Sequence, residues 1–336
     1  MMEDEIREAP EAVRRQEQSL AQPAAELAAR VKARPPLIAV TCARGSSAHA
    51  ATFGKHLIER YLGIPVAAAA PNIASVYRQE LHLEGQLFLA ISQSGRSDDL
   101  VEMTAAAKRA GALTAAILND TESPLAAHCD LVLPMCAGPE LSVAATKTFV
   151  ATLAALLRLT SAWAENRELD SALARLPDRL AAAAGLDWSG AVSAFAGAPS
   201  LVTIGRGPTL AIAREAALKL KETCNLHAEA FSGAEFLHGP VALVSSRYPI
   251  LMFMPADAAA DGMRRLAADL RGKGAALFTT GPEAAAGVLP SLAPDQPEAD
   301  AVCLIQSFYA MAVRLADALG VDAGQPRHLH KITRTV

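Results

Sequence analysis

The chain carries the same six-residue pattern once in each half. Residues 40–45 and 202–207 both read V-T-x-x-R-G, and each run joins an apolar stretch to a helical pattern. The next apolar strand is also repeated, because LFLAIS at 87–92 and PILMFM at 249–254 lie at nearly the same distance from that pattern. An internal repeat of a strand, a glycine turn and a helix predicts two similar α/β halves, each with a parallel sheet.

Length and composition agree with two halves. A chain of 336 residues with 51% hydrophobic and only 4% aromatic residues can bury more than one ordinary core. We predict an N-terminal helical segment over 1–35 with one or two short helices, because Pro10 and Pro23 interrupt the helical pattern. A first half over 36–185 and a second half over 186–336, ending in a C-terminal tail, follow it.

Charge and cysteine usage exclude several classes of protein. A net charge of −4 offers no basic footprint, so we expect neither a nucleic acid nor a membrane as partner. Five cysteines without a CxxC pair argue against a disulfide framework or a structural zinc site. The acidic start does not resemble a signal peptide, and no apolar run reaches membrane-spanning length. We therefore expect a soluble, cytoplasmic protein.

Two serine-rich turns follow predicted strands in the first half, GSS at 45–47 and SQSGRS at 92–97. Each turn leads into a helix, where backbone N–H groups and the positive end of the helix dipole favour an anion. Serine also commonly caps helices. Because the carboxyl ends of parallel strands meet at one edge of the sheet, the two turns together favour phosphate binding. The second half has MPAD at 254–257 instead, which lacks these hydroxyls.

An ionisable stripe interrupts an apolar helix in the second half. Glu215, Lys219 and Glu222 are spaced i, i+4 and i+7, which places them on one side of a helix. A solvated Glu–Lys pair has the same spacing. Apolar residues on the other faces predict a largely buried helix whose stripe lines a cleft.

These segments resemble the isomerase part of the glucosamine-6-phosphate synthases and, more widely, the sugar isomerase (SIS) family. The resemblance covers nearly everything after about residue 35. The matching motifs are Gly45-Ser46-Ser47, Ser92-Gln93-Ser94-Gly95, Ala145-Thr146-Lys147, Gly205-Arg206-Gly207, EAALKLKE at 215–222, His227-Ala228-Glu229-Ala230, Glu235, His238-Gly239-Pro240 and Gln325-Pro326-Arg327. The resemblance implies two tandem SIS subdomains, each a flavodoxin-like parallel sheet flanked by helices in three αβα layers.

The resemblance also implies how a phosphosugar would be held. Gly45 and Ser46 would place the backbone against the sugar. The residues expected to bind the phosphate and the rest of the substrate are Ser47, Ser92, Gln93, Ser94, Ser97, Val143 and Ala144. Arg96 departs from the family pattern, in which an acidic residue is usual, so we expect altered affinity or substrate choice.

The catalytic roles come from the same resemblance. Glu222 is the expected base for proton transfer between C1 and C2, since partial burial raises the pKa of a carboxyl. His238 would assist ring opening. Lys331 would either form an imine with the open-chain sugar or polarise its carbonyl. The other residues of the set would orient the carboxylates and offset oxyanion charge: Lys219, Arg206 and Glu215.

The net reaction follows from what the sequence lacks. The synthases carry a glutaminase domain with an N-terminal cysteine, which is not found here. We therefore predict an isomerising glucosamine-6-phosphate deaminase that needs no metal or organic cofactor. The alternatives are a deglycase acting on fructosamine 6-phosphate conjugates and a non-catalytic sugar-phosphate sensor. In the family, the histidine that matches His238 reaches the neighbouring subunit, which predicts a homodimer with shared active sites. The HxH at 328–330 has no third ligand, so we expect no metal there.

Overall fold

The computed structural model of the chain describes residues 1–331 and contains two five-stranded parallel sheets. The first sheet consists of β1 (Ala39–Ala43), β2 (Val66–Ala68), β3 (Leu87–Ser92), β4 (Leu113–Leu118) and β5 (Leu131–Pro134). The second sheet consists of β6 (Leu201–Gly205), β7 (Ala228–Ser232), β8 (Ile250–Met252), β9 (Leu277–Gly281) and β10 (Val288–Pro290).

Helices flank both sheets. In chain order they are α1 (Met2–Ala33), α2 (Gly45–Leu62), α3 (Asn72–Ser75), α4 (Asp98–Arg109), α5 (Lys147–Ala164), α6 (Arg167–Ala184), α7 (Ser189–Ala196), α8 (Thr209–Cys224), α9 (Gly233–Phe236), α10 (Ala260–Gly272) and α11 (Pro297–Ala318). Short 3₁₀ turns occupy Ala126–His128 and Pro240–Leu243.

The strand orders of the two sheets confirm the predicted repeat. The first sheet runs β2-β1-β3-β4-β5, and the second runs β7-β6-β8-β9-β10 when read from the corresponding edge. Both are the 2-1-3-4-5 order of a flavodoxin-like sheet, in which ligands bind at the carboxyl ends of the strands. The central pairs of the two sheets are equivalent. Strand β1 pairs with β3, with Ala43 opposite Ile91, and β6 pairs in the same way with β8, with Ile204 opposite Met252.

The sheets are parallel and internal because their strands are apolar on both faces. All six residues of β3 are buried, and its Phe88 packs with Met103 of α4 and Leu118 of β4 in the core of the first sheet. Val202 and Leu270 belong to the corresponding core of the second sheet.

The chain divides into two compact units that are discontinuous in sequence. The first-sheet unit comprises residues 11–140, 147–173 and the chain from 330 onward. The second-sheet unit comprises residues 1–10, 141–146 and 174–329.

The predicted interruption of the N-terminal helix at Pro10 and Pro23 is wrong. Helix α1 is continuous from Met2 to Ala33 through both prolines. A proline inside a helix costs about 3 kcal/mol. Three residues seven apart, Val13, Leu20 and Leu27, are fully buried. Burial of each of these side chains contributes about 1.5–3 kcal/mol, and together they offset the cost of the prolines. Tertiary packing therefore overrides the local tendency of proline to end a helix.

Helix α5 begins only at Lys147, although the apolar run in the sequence predicts a helix from Ser142 onward. The backbone N–H groups of Leu141 and Ser142 donate to the carboxylate of Glu5, and that of Thr148 donates to Glu140 at 3.1 Å. Carboxylates therefore take up N–H groups at and before the start of α5, and the segment 141–146 stays irregular.

The expectation that no apolar run is long enough to span a membrane also needs correction. Within residues 1–331, α11 is long and apolar enough to do so by length and composition. Most of this helix is buried against other elements, including α7 and α8. The same burial explains its apolar composition as that of a core helix.

Candidate functional site

The two serine-rich turns lie side by side at one edge of the first sheet. Because Ala43 of β1 is opposite Ile91 of β3, the residues that follow both strands emerge together. Gly45, Ser46 and Ser47 form the first turn of α2, and Gly45 has a φ of +53°, which favours glycine. The structure thus brings the predicted phosphate-binding residues of this unit together, as the sequence indicated.

The second turn is fixed by its own hydrogen bonds. Ser92 Oγ accepts from the N–H of Gly95 at 3.0 Å, and Ser94 Oγ accepts from the N–H of Arg96 at 3.3 Å. Gly95 has a φ of +61°, and a Cβ at this position would lie 2.0 Å from Ser123 Oγ. Only glycine fits this turn.

Neither helix is capped by the side chain at its N-cap position. Arg44 precedes α2 and Ser97 precedes α4, and neither side chain accepts a hydrogen bond from its helix. The interpretation of these turns as plain N-caps is therefore not what the structure shows at these two positions. In the first turn of α4 the N–H of Leu100 donates to Asp99 Oδ1 at 2.9 Å. First-turn N–H groups that no side chain caps are suited to an anion.

Two ion pairs that the sequence did not reveal flank the turns. Arg44 donates to Asp99 through Nε at 3.0 Å and Nη2 at 2.7 Å, and the Asp99 side chain is only 1% exposed. Arg96 donates to Asp120 at 2.8 Å. The charge of Arg96 is thus partly offset by a neighbouring carboxylate, which moderates the effect expected from this departure from the family pattern.

Val143 and Ala144 lie in the irregular segment 141–146 of the second-sheet unit. Ala144 is buried and Val143 is half-buried. The segment is fixed at its start by Glu5, which accepts from two of its backbone N–H groups. Two expected substrate-binding residues therefore lie in a different compact unit from the serine turns.

The ionisable stripe of α8 forms as predicted, and it is more deeply buried than a solvated pair. Glu215 and Lys219 are fully buried, and the Glu222 side chain is 20% exposed. Lys219 Nζ lies 3.4 Å from Glu215 Oε1 and also donates to Glu222. One ammonium therefore serves two carboxylates, and only Glu222 has a partly open position.

Tyr309 completes this arrangement and was missed in the sequence. Its hydroxyl lies 3.2 Å from Glu215 Oε1, where it can donate a hydrogen bond from α11. A single tyrosine in a long apolar helix gives no pattern that separates it from a core residue. Tyr309 and Lys219 together hold Glu215, which leaves Glu222 as the carboxylate suited to a substrate.

Arg206 and His238 belong to the same unit but are exposed. Within residues 1–331, neither side chain makes a hydrogen bond or ion pair with Glu215, Lys219 or Glu222. Arg206 lies in the turn before α8, and its backbone N–H donates to Thr209. His238 follows the short helix α9 and precedes Gly239. The structure does not bring these two side chains to the stripe.

Lys331 lies in the first-sheet unit, beside a buried carboxylate. Its Nζ is 3.5 Å from Glu140 Oε2, and the side chains of Lys331 and Glu140 are 28% and 0% exposed. Glu140 also accepts from the N–H and the hydroxyl of Thr148, at 3.1 and 2.5 Å. Glu140 was not predicted, although an acidic residue ahead of a helix start is a recognisable sequence signal.

No three His, Cys, Asp or Glu side chains come together as a metal site within residues 1–331. A buried ammonium between two carboxylates suits proton transfer, and the serine turns suit a phosphate.

Comparison with known proteins agrees with this geometry. The model of the SIS domain family matches residues 38–162 and 194–279, more than half of the chain. The "Glutamine--fructose-6-phosphate aminotransferase [isomerizing]" of Caulobacter vibrioides is 34% identical over 310 residues, covering 85% of this chain and 50% of the relative. The chain thus spans about half the length of that curated relative.

Two solved structures show the same architecture. A phosphosugar isomerase candidate from Silicibacter pomeroyi DSS-3 superposes with a TM-score of 0.91 at 46% identity, covering 96% of this chain and 99% of that one. The glucosamine-6-phosphate deaminase of Thermotoga maritima gives a TM-score of 0.72 at 21% identity, covering 98% and 100%. At that identity the second likeness is one of fold.

Proposed function

This chain belongs to the SIS domain family, and we propose that it is a phosphosugar isomerase that converts glucosamine 6-phosphate and water to fructose 6-phosphate and ammonia. The observation that carries the proposal is the buried stripe of α8, in which Lys219 contacts both Glu215 and Glu222. An aldose–ketose conversion needs one group that takes a proton from C2 and returns it to C1. Glu222, whose side chain is 20% exposed while Glu215 is fully buried, has that role.

The stripe keeps Glu222 in the form that the reaction needs. The Lys219 ammonium favours the ionised carboxylate and fixes its position, and Glu215 contacts the same ammonium from the other side. Tyr309 in turn holds Glu215. Glu222 removes the C2 proton of the open-chain aminoaldehyde and delivers it to C1, while the amine nitrogen loses a proton and the C1 oxygen gains one. This leaves an imine at C2, which water hydrolyses to the ketone and ammonia.

The remaining roles concern binding and ring opening. The serine turns receive the phosphate through backbone N–H groups and hydroxyls. His238 acts in ring opening, and its exposed position fits a residue that serves the site of a neighbouring copy. Lys331 Nζ lies 3.5 Å from Glu140 Oε2, and this contact fixes the amine where it can polarise the C1 carbonyl.

Deamination is the favoured direction because the reaction requires no nitrogen donor other than the substrate. The name of the Caulobacter relative joins isomerisation to amino transfer on fructose 6-phosphate. With water as the second reactant, the same acid/base groups release the amino group of the substrate as ammonia. Phosphosugar isomerisation and deamination thus use one set of residues.

The test is a substrate screen in which ammonia and ketose phosphate are both measured. We expect equal amounts of the two products from glucosamine 6-phosphate and little turnover of unphosphorylated glucosamine. Turnover confined to fructosamine 6-phosphate conjugates of amino acids would contradict deamination and indicate a deglycase. Binding of phosphosugars without turnover would contradict both and indicate a sensor.

A further inference from the structure

A cavity lies within the second-sheet unit, and its lining differs from the residues assigned to the reaction. Its volume is about 470 Å³, within the roughly 300–1,000 Å³ of small-molecule sites. It opens at the carboxyl ends of β8 and β9, where it is lined by residues 254–256 and 279–282. Ligands of open parallel sheets bind at this edge. None of the residues that we assign to catalysis or phosphate binding lines it.

One face of α10 forms a wall of this cavity. Ala260, Arg264, Ala267 and Arg271 all line it, and their spacing of i, i+4, i+7 and i+11 places them on one side of the helix. The small side chains of Ala260 and Ala267 leave space in the cavity beside the guanidinium groups of Arg264 and Arg271. The opposite side of α10 packs into the core through residues such as Leu270.

Among the three arginines that line the cavity, one has no carboxylate partner, and the exposed Glu283 lines the cavity as well. Arg179 is bound by Asp300 at 2.7 Å, and Arg264 pairs with the exposed Asp261. Arg271 has a single hydrogen bond, from Nη2 to Thr279 Oγ1 at 3.1 Å, and no ion pair with any described residue. That bond directs Arg271 toward the end of β9. A guanidinium with most of its donors open suits a phosphate or carboxylate.

Hydroxyl groups beside Arg271 extend the same chemistry. Thr279 Oγ1 accepts from Arg271, and Thr280 Oγ1 accepts from the N–H of Met254 at 2.9 Å. Within the described part of the chain neither hydroxyl donates to an acceptor, so both protons are available to a bound anion. Met254 and other apolar residues line the rest of the cavity, which provides room for an organic body.

The titratable groups of the cavity do not suit catalysis. Asp300 accepts from Arg179 and from the N–H of Asp295. Burial raises the pKa of the Cys303 thiol to about 12, so it is not a nucleophile near neutral pH. Binding without chemistry is what these residues support.

We propose that this cavity is a binding site for a small organic phosphate, held by Arg271 with the hydroxyls of Thr279 and Thr280. The site is independent of the proposed reaction. Its position matters because Ser307 of α11 lines the cavity and Tyr309 of the same helix contacts Glu215. A ligand in the cavity therefore contacts the helix that holds the catalytic stripe, which makes it a place for an effector.

The test uses glycerol 3-phosphate as the probe and isothermal titration as the measurement. To reduce binding at the serine turns, all proteins carry Ser94→Ala. We expect this protein to bind about one probe per chain and Arg271→Ala in addition to weaken that binding at least about tenfold, through loss of hydrogen bonds to a charged group. Arg265→Ala is the matched control, because it removes the same charge from an exposed position of α10 that does not line the cavity.

Two results would overturn the proposal. One is the absence of any probe binding to the Ser94→Ala protein. The other is equal affinity of the Arg271→Ala and Arg265→Ala proteins, which would reduce the effect to general charge. Unchanged thermal unfolding of both variants excludes misfolding as the cause of a loss. Because no turnover is measured, the outcome does not depend on the proposed reaction.

Discussion

Among single residues, Lys219 is fully buried and shares its one positive charge between the carboxylates of Glu215 and Glu222. Removing one partner of a buried ion pair leaves an uncompensated charge, which costs about 3–5 kcal/mol. The stripe is therefore expected to contribute to stability as well as to chemistry.

We predict that Lys219→Met lowers the free energy of unfolding by about 3–5 kcal/mol in urea or guanidinium denaturation. Lys273→Met is the matched control, since Lys273 forms an exposed pair with Asp269 on α10 and such pairs contribute about 0–1 kcal/mol. The double variant Lys219→Met with Glu215→Gln should recover part of the loss. Equal, small effects of the two lysine substitutions would show that the stripe is not electrostatically coupled.

The residues of the stripe were visible in the sequence, whereas the residues that hold them were not. A spacing of i, i+4 and i+7 is a property of the sequence, and α8 confirms it. Tyr309, by contrast, reaches Glu215 from ninety-four positions away. Contacts of that kind depend on how α8 and α11 pack, which no local pattern encodes.

At the scale of elements, the turn after β3 depends on one glycine. Gly95 combines a φ of +61° with a close approach to Ser123, whereas Gly63 at the end of α2 has a φ of +67° and open space around it. The two glycines therefore separate backbone strain from steric contact.

We expect Gly95→Ala to disrupt the turn, raise KM for the phosphosugar and destabilise the protein by more than Gly63→Ala does. Gly63→Ala should cost only the left-handed backbone penalty of about 1–2 kcal/mol and leave KM unchanged. Substrate titrations and denaturant unfolding of both variants provide the comparison. A Gly95→Ala protein with normal KM would mean that this turn does not contact the substrate.

Elements with their own sequence signals were predicted well, and elements set by packing were not. The bounds of α4 and β4 follow from the sequence, because the pattern predicts a helix over 98–109 and a strand over 113–118, each ended by turn residues. The pattern fails for α1, where buried leucine and valine side chains override two prolines. The short strands β2, β7 and β10 also escaped prediction, since three to five residues carry too little pattern.

At the scale of the whole molecule, we propose a two-fold dimer in which His238 of one chain serves Glu222 of the other. His238 is exposed and makes no contact with the stripe within residues 1–331. A histidine that does not contact the stripe of its own chain can serve as an acid or base in the site of a partner chain.

Complementation tests this arrangement. Glu222→Gln and His238→Ala proteins, each nearly inactive alone, are unfolded together and refolded at equal concentration. Random pairing makes about half of the dimers mixed, and each mixed dimer has one intact site of two, so about a quarter of the wild-type activity should return. Activity that stays at the mean of the two variants, with mixed dimers shown by mass spectrometry, would assign His238 to its own chain or exclude it from catalysis.

The role of Glu222 in proton transfer is tested by the rates at which the Glu222→Gln protein forms ammonia and fructose 6-phosphate. If Glu222 transfers the proton between C2 and C1, kcat should fall about 10²- to 10⁴-fold for both products together. Glu168→Gln, an exposed glutamate of α6, should match the wild type. Wild-type rates in the folded Glu222→Gln protein, or loss of one product without the other, would contradict the account.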